Sequence, residues 1–406
     1  MMSIDTLRIH YHENTSELCE LGRKYDTDKS SQRERVTNER HCHPYTLFYD
    51  SLFRTKRHDP LHIAELGILE GGSIRMWQDY FTHAKIDGFD NQPKWIEQCR
   101  SYIDPQRIRL SLLDVTRSEQ MIHVFHELNT MYDILIEDTT HQFEDQIRVI
   151  ENLHSYIKPG GILIIEDIFK SYSEQEYYHR LEPILCHFQD YYFVELDHAR
   201  RNSTGWDNDK LFVLVKGGAE PIFKNTNKLT IITPSYRIDH LAAVKDSICF
   251  DYVEEWIVVY DGTKSRPDFK YFQDNEKIKE YVHEGEGISG NPQRNYALTK
   301  IQNPDTLLYY LDDDNVIHPS LYRLLDIIDP TKIYTFNQVN RIKGNNIKVG
   351  HIDTAMAIIP YRFGKTHTWI PERYDADGHY IKACYETNKK NHIYVDNDLC
   401  YYNRLS

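Results

Sequence analysis

The 406-residue chain lacks the features that mark exported or membrane-spanning proteins. No apolar run approaches the ~18 residues of a membrane span. The N-terminal residues show no basic start followed by an apolar core, so we expect no signal peptide. The seven cysteines include no Cys-x-x-Cys pair, which excludes the usual zinc and redox spacings. Dispersed thiols in odd number are typical of a reducing compartment, and we expect a cytoplasmic protein.

The chain also lacks a surplus of basic residues. It has 48 Lys and Arg against 62 Asp and Glu, a net charge of −14. Nucleic acids and anionic membranes bind basic surfaces, so neither is expected as the main partner. With 40% hydrophobic residues, the chain has enough apolar side chains for a packed core. Its length suits two or three domains of ~150 residues each, and a homo-oligomer is compatible with it.

Strands and helices alternate twice along the chain. This rhythm predicts an α/β fold with two domains, each a mostly parallel sheet covered by helices. We place the domains at 1–218 and 228–406, joined by a Gly- and Pro-containing linker at 219–227. A hairpin is expected to connect the last two strands of the first domain. The predicted strands are 61–68, 84–90, 108–115, 132–138, 160–168, 190–198 and 209–218, then 228–236, 254–262 and 306–314.

The first domain places glycines and acids at the ends of its first three strands. The stretch "AELGILEGGS" has the spacing G-x-x-x-G-G, so it does not meet the dinucleotide fingerprint G-x-G-x-x-G. Glycine lets a backbone pass close to a ligand, and a strand-end carboxylate can hold two ribose hydroxyls. Because the strand ends share one sheet edge, they predict a cofactor site there. The candidate residues are Glu65, Gly67, Gly71, Ser73, Asp90 and Asp114.

The fourth and fifth strands each end in a Glu-Asp pair. Asp138, Glu166 and Asp167 could converge on one cation with oxygen ligands, most simply Mg²⁺. His141 follows Asp138 by three residues and suits a general base beside that cation. The alternative is that these acids are solvated loop residues and that His141 has a structural role. Convergent acids are costly without a cation, which favours the metal site.

The segments "YDTDKSS", "HCHPYTLFYDSLF" and "IAELGILEGGSIRMWQDYF" resemble the start of macrocin-type sugar O-methyltransferases and their cephalosporin-hydroxylase-like relatives. The resemblance covers about 20–217 and includes a D-x-x-H and a later E-D. It implies a class I methyltransferase fold that binds S-adenosylmethionine through the glycine turn, Asp90 and the region of Asp114. It also implies Mg²⁺ on Asp138, Glu166 and Asp167, with His141 as base. Relatives have D-G-S-H where this chain has D-T-T-H.

The second domain contains three adjacent carboxylates, Asp312, Asp313 and Asp314, directly after the apolar run "TLLYYL". A calcium loop would need Gly and Glu at its sixth and twelfth positions, which hold Ile317 and Arg323, so that reading is excluded. A solvated turn does not suit so apolar a strand. A cation that neutralises a nucleotide diphosphate is what such a strand end can hold. Thr233, Pro234, Asp261 and Arg294 are expected around the same nucleotide.

The block "PQRNYAL…LLYYLDDDNVIHPSL" resembles GT-A glycosyltransferases of the glucuronyltransferase type, while "ITPSY" and "YDADGHYI" are similar to family-two enzymes. The resemblance covers about 228–400. It implies Mn²⁺ or Mg²⁺ on Asp314, with Asp312, Asp313 and Arg294 on the nucleotide-diphospho-sugar donor. An inverting enzyme also needs a carboxylate base. Glu372, Asp375 and Asp377 are the candidates, and Asp377 is preferred.

Together these patterns predict a bifunctional enzyme of glycan assembly that methylates a sugar hydroxyl and transfers a sugar from a nucleotide donor. Its partners would be a saccharide or glycan acceptor and a nucleotide sugar. One alternative is a methyltransferase whose second half is a catalytically silent polysaccharide-binding module. Another is a metal-dependent oxidase or hydroxylase in the first half. The absence of a second histidine among the candidate ligands argues against that iron chemistry.

Overall fold

The computed structural model describes residues 6–34, 41–203, 205–264, 270–272 and 274–405. It has a mixed α/β fold, as the sequence predicts. The chain divides into two compact units, Ile4–Lys224 and Asn225–Ser406, which we call the N-unit and the C-unit. Among the described helices, none has both the length and the apolar composition needed to span a membrane.

In the part of the N-unit that the structure describes, eight strands lie in the order β1-β7-β8-β6-β5-β2-β3-β4. All neighbouring strands are parallel except β8, which runs antiparallel to β6 and β7. The expected hairpin between the last two strands, β7 and β8, is therefore confirmed. The strands are β1 (Thr6–His10), β2 (His62–Leu66), β3 (Lys85–Asp90), β4 (Ile108–Leu112), β5 (Tyr132–Glu137), β6 (Ile157–Ile165), β7 (Phe188–Asp197) and β8 (Lys210–Lys216).

Two features that stabilise helices of the N-unit are a side-chain cap at the N-terminus and an apolar stripe that faces the core. The hydroxyl of Ser16 accepts a hydrogen bond from the Cys19 N–H at 3.3 Å and caps the first helix. In the sixth helix, Ile147, Ile150 and Leu153 lie on one face and are buried in the core. The helices are α1 (Glu17–Lys24), α2 (Tyr45–Phe53), α3 (Gly72–Tyr80), α4 (Pro93–Arg100), α5 (Ser118–Leu128), α6 (Phe143–Leu153) and α7 (Glu174–Leu185).

The strand order of the N-unit reverses between β2 and β5. From β2 the chain continues to β3 and β4 on one side, whereas β5 and β6 lie on the other. The loops after β2 and β5 diverge from such a reversal, and the crevice between them is where open α/β sheets bind ligands. Gly67 lies at this point with φ +87°, and a Cβ there would stand 1.8 Å from the backbone oxygen of Asp138. Only glycine fits this close approach.

The described residues of the C-unit form seven strands in the order β11-β10-β9-β12-β14-β13-β15, with β14 antiparallel to both of its neighbours. Its order reverses between β9 and β12. The strands are β9 (Leu229–Ser235), β10 (Val253–Asp261), β11 (Ile278–His283), β12 (Leu307–Tyr310), β13 (Ile333–Gln338), β14 (Ala357–Pro360) and β15 (His392–Cys400). The helices are α8 (Leu241–Asp246), α9 (Asn291–Leu298), α10 (Leu321–Ile327), α11 (Tyr361–Gly364) and α12 (Ala376–Glu386).

Candidate active sites

A cavity of about 360 Å³ opens at the carboxyl ends of β2, β3 and β5 in the N-unit. Its volume lies in the range of pockets that bind small ligands. Of the residues predicted from sequence, six line it: Gly67, Ser73, Asp90, Asp138, His141 and Asp167. Four others lie outside its lining: Glu65, Gly71, Asp114 and Glu166.

Asp90 anchors one end of this cavity. Its Oδ2 accepts hydrogen bonds from the N–H groups of Ile68 at 3.3 Å and Leu69 at 3.0 Å, and its Oδ1 accepts one from Gln92 at 2.8 Å. These bonds fix the glycine turn against the end of β3. A carboxylate has about four acceptor positions, so room is left for a ligand hydroxyl. Asp114, by contrast, accepts the Thr116 N–H and hydroxyl within its own turn.

At the other end, Asp138, His141 and Asp167 place one ligand atom each within 4.8 Å of one another. The Nε2 of His141 lies 3.1 Å from Asp138 Oδ1 and 3.4 Å from Asp167 Oδ2. Both His141 and Asp167 adopt positive φ, at 58° and 56°. Such backbone is strained for residues other than glycine and clusters at functional sites. The donor set has two carboxylates and one imidazole, so its oxygens fit a hard cation such as Mg²⁺.

The charges of this cluster act on each other. Burial lowers the pKa of His141, but the hydrogen bond to Asp138 and the charge of Asp167 outweigh burial and raise it to about 9. Burial raises the pKa of Asp138, yet the charge of Lys29 and the bond to His141 hold it well below its usual range. Without a bound cation, an imidazolium ion therefore lies between two carboxylates at neutral pH.

Lys29 is a buried cation in the lining of the cavity, with 2% of its side chain exposed. Its Nζ lies 2.5 Å from Asp138 Oδ2, 2.5 Å from Glu166 Oε2 and 3.3 Å from Glu65 Oε1. The Tyr49 hydroxyl donates to the other oxygen of Glu166 at 2.5 Å. Both oxygens of Glu166 are thus engaged by protein groups. Burial, offset only in part by Lys29, raises the pKa of Glu65 to about 7.

His43 and Tyr45 hold Asp167 from the side opposite His141. The Tyr45 hydroxyl donates to Asp167 Oδ1 and contacts the backbone oxygen of Asn208 at 3.0 Å. The Nδ1 of His43 lies 2.9 Å from Asp209, and its Nε2 lies 3.9 Å from Asp167. These contacts leave Oδ2 of Asp167 facing His141, which orients this carboxylate toward the cavity.

A second cavity, of about 570 Å³, lies at the carboxyl ends of β9 and β12 in the C-unit. Thr233 is buried beneath it, accepts a hydrogen bond from Trp256 Nε1 at 2.9 Å and is outside the lining. Of the other predicted residues of this half, Glu372 also lies outside the lining, and eight line the cavity: Pro234, Asp261, Arg294, Asp312, Asp313, Asp314, Asp375 and Asp377.

Two arginines neutralise the three adjacent aspartates. Arg294, buried at the start of α9, pairs with Asp312. The guanidinium of Arg237 lies 2.6 Å from Asp313 Oδ1 and 3.1 Å from Asp314 Oδ2. Asp313 Oδ2 also accepts the N–H groups of Tyr236 and Arg237, both at 2.8 Å. Asp313 therefore ties the loop after β9 to the end of β12. Asp312 and Asp314 are the carboxylates left facing the cavity.

Asp375 and Asp377, the two candidate bases that line the cavity, differ in environment. Arg373 donates two hydrogen bonds to Asp375, at 2.8 and 2.9 Å, and lowers its pKa. Asp377 is partly buried, and this burial together with the neighbouring carboxylate of Asp353 raises its pKa to about 7. A carboxylate with a pKa near neutrality is suited to accept and release protons, so the geometry favours Asp377.

Comparisons with known proteins concern the first of these sites. The mycinamicin VI 2''-O-methyltransferase of Micromonospora griseorubida is 29% identical over 157 residues, 37% of this chain and 38% of that protein. The demethylmacrocin O-methyltransferase of Streptomyces fradiae is 28% identical over 156 residues, with the same two shares. A tetracenomycin-related 3'-O-methyltransferase of Streptomyces olivaceus is 30% identical over 137 residues, 32% of this chain and 33% of that protein.

The N-terminal half resembles macrocin-type sugar O-methyltransferases. The chain spans about a third to two-fifths of the length of these curated relatives. Among solved structures, the MycE methyltransferase of the mycinamycin pathway in complex with Mg, SAH and mycinamycin VI is 22% identical. The match covers 51% of this chain and 57% of that one, with a TM-score of 0.37. No protein-family model matches the chain.

Several residues of the methyltransferase-like site were not assigned a role from sequence. Lys29, His43, Tyr45 and Tyr49 precede the first strand of the predicted sheet, in the segments "DTDKSS" and "HPYTLFY". A lysine among polar residues and a run of aromatic hydroxyls were the available signals. In the C-unit, Arg237 directly follows the strand-end "TPSY" and was missed in the same way.

Proposed function

We propose that the N-unit transfers a methyl group from S-adenosylmethionine to a hydroxyl of a sugar. The observation that carries this proposal is one cavity lined both by the glycine turn with Asp90 and by the Asp138–His141–Asp167 cluster. The curated relatives are named as O-methyltransferases, and the name of the Streptomyces olivaceus enzyme includes a rhamnosyl group, which supports the same reaction class.

Each end of the cavity has a distinct task. Asp90 and the glycine turn bind the ribose and the amino acid portion of the cofactor, which supplies an electrophilic methyl group on sulfur. Asp138 and Asp167 would hold Mg²⁺, which lowers the pKa of a hydroxyl bound to it. Glu166 is engaged by Lys29 and Tyr49, so we assign it to support rather than to direct ligation.

His141 is the proton acceptor in this proposal. Its Nε2 lies beside both aspartates, at the edge of the cavity where an acceptor hydroxyl would meet it. Their negative charge is what raises its pKa. A cation held by the two carboxylates would neutralise their charge and so remove the cause of the raised pKa. The imidazole of His141 would then be able to accept a proton near neutral pH.

The test is methyl transfer to a panel of methyl pyranosides, read as S-adenosylhomocysteine formed with and without MgCl₂. Asp138→Asn keeps the shape but removes a charge; we expect at least a hundredfold loss of rate with S-adenosylmethionine binding retained. Asp79→Asn, which alters a surface ion pair with Lys24, is the matched control. Full activity of Asp138→Asn, or no binding of S-adenosylmethionine to the wild type, would contradict the proposal.

For the C-unit, we propose a GT-A glycosyltransferase that uses a nucleotide-diphospho-sugar donor. The supporting observation is the cavity that collects Asp312, Asp314, Arg294 and Asp377 at the β9/β12 reversal. Asp314 would hold Mn²⁺ or Mg²⁺ together with oxygens of the diphosphate. Asp377 would deprotonate the acceptor hydroxyl.

A silent glycan-binding module is the second candidate for the C-unit. It is favoured by one observation, the pairing of all three aspartates with Arg237 and Arg294. A thermal-shift panel of UDP, GDP, CMP and dTDP, each with and without MnCl₂, separates the two. A ligand at ~100 times its Kd stabilises by ~2.7 kcal/mol. A metal-dependent shift that Asp314→Asn abolishes supports a donor site. The absence of a shift with every nucleotide supports the glycan-binding module instead.

A further inference from the structure

An aromatic cluster borders the Asp138–His141–Asp167 site on the side away from the cofactor end. Trp206, in the connection between β7 and β8, lies 5.5 Å from His41, 5.7 Å from Phe169 and 6.1 Å from His141, measured between ring centroids. The ring plane of Trp206 is nearly perpendicular to that of His141, with an angle of 86° between the two planes. The cluster is therefore assembled from four separate segments around the candidate base.

The position of Trp206 is unusual for its residue type. All five tryptophans belong to the described residues, and only Trp206 is exposed, with 44% of its surface accessible. Tryptophan is the largest apolar side chain, and an exposed one next to polar groups is typical of a recognition surface. The contact with His141 places the rings of Trp206 beside the candidate base, and part of their surface is open to solvent.

We infer that Trp206, with Phe169 and His41, forms the wall against which the acceptor sugar lies as a pyranose ring. A pyranose in a chair form has one face of C–H bonds that packs on an aromatic surface, while its hydroxyls stay free for polar groups. With that face on Trp206, hydroxyls of the ring reach toward His141 and the two aspartates. This inference rests on the proposed methyl transfer and names the acceptor side of the same site.

Fluorescence quenching tests the wall without any chemistry. The probe is methyl α-L-rhamnopyranoside, added with S-adenosylhomocysteine and MgCl₂, and acrylamide is the quencher. The signal of Trp206 is the difference between wild type and Trp206→Phe. We expect the pyranoside to protect this signal and sorbitol, which has hydroxyls but no ring face, to leave it unchanged. Equal protection by sorbitol, or no protection by the pyranoside up to its solubility limit, overturns the inference.

Kinetic measurements distinguish a failure of the proposed aromatic wall from a failure of the proposed methyl transfer. For Trp206→Ala we expect KM for the pyranoside to rise about tenfold with kcat little changed, and Trp206→Phe to recover most of the loss. Ile122→Ala, an exposed apolar residue on α5, is the control that leaves both constants unchanged. Product formed with unchanged KM in Trp206→Ala refutes the wall alone. Protection by the pyranoside without any methylated product refutes the methyl transfer alone.

Discussion

Replacing Lys29 with methionine removes a buried positive charge and keeps the length of the side chain. The ammonium is 2% exposed and lies within 3.3 Å of three carboxylates, those of Glu65, Asp138 and Glu166. Breaking a buried ion pair by removing one partner costs about 3–5 kcal/mol, because the other charge is left uncompensated. With three acids left, we expect Lys29→Met to lower the free energy of unfolding of the N-unit by at least that amount.

Hydrogen exchange followed by mass spectrometry measures this effect locally. Peptides from α2, which carries Tyr45 and Tyr49, should exchange about a hundred to several thousand times faster in the variant, as that free energy implies. Lys24→Met is the matched control: its side chain is 57% exposed and pairs with Asp79 at the surface, so little change is expected. If Lys29→Met exchanged like the control, the three acids would not depend on this lysine and the reasoning would fail.

Three further outcomes follow from the geometry. Gly67→Ala should destabilise the N-unit by about 3 kcal/mol or more, seen in urea melts, since its Cβ would meet the Asp138 backbone oxygen; a change under 1 kcal/mol would refute this. Asp90→Ala should weaken S-adenosylmethionine binding at least tenfold by calorimetry, and unchanged affinity would remove Asp90 from the cofactor site. The pKa of Asp377 is raised in the folded protein, so protonated Asp377 contributes to the free energy of unfolding at low pH. This stabilising contribution is lost as the pH rises from about 4 to about 7. Asp377→Asn should therefore stabilise by about 1–3 kcal/mol at pH 8 and not at pH 4 in thermal melts, and equal effects at both pH values would contradict the shift.

The strands that carry the two sites could be predicted because parallel strands buried on both faces are continuous apolar runs. Strands β2, β3, β5 and β6 begin and end within a few residues of the predicted bounds. Helix α2 was not predicted, because eight of its nine residues are buried and no amphipathic period remains to recognise it. Strand β11 was missed for the opposite reason: five of its six residues are at least partly exposed, so it lacks an apolar run.

The residues of the candidate sites also divide into those that could be predicted from the sequence and those that could not. Asp90, Asp138 and Asp167 could be placed together because they follow parallel strands of one sheet, and topology alone brings such ends to one edge. The partners of those acids could not, since Lys29 and Tyr49 reach the site from segments more than a hundred residues earlier in the chain than Glu166. The sequence around each of these residues does not indicate that they pair with one another. For this reason Glu65 and Glu166 were expected to face ligands and instead lie against Lys29.

The residues before β2 have a practical consequence for dividing this protein. A shortened chain beginning at His62 would retain seven of the eight strands of the N-unit sheet, all but β1. It would lose the ammonium and the phenols that accompany Asp138, Glu166 and Asp167. Glu65 and Glu166 would then lie in the interior without Lys29, while Asp138 and Asp167 would keep His141 beside them, and we expect such a fragment to aggregate. A stable fragment of the N-unit must therefore include the residues that pair with its buried acids, and its start cannot be chosen from the first strand of the predicted sheet.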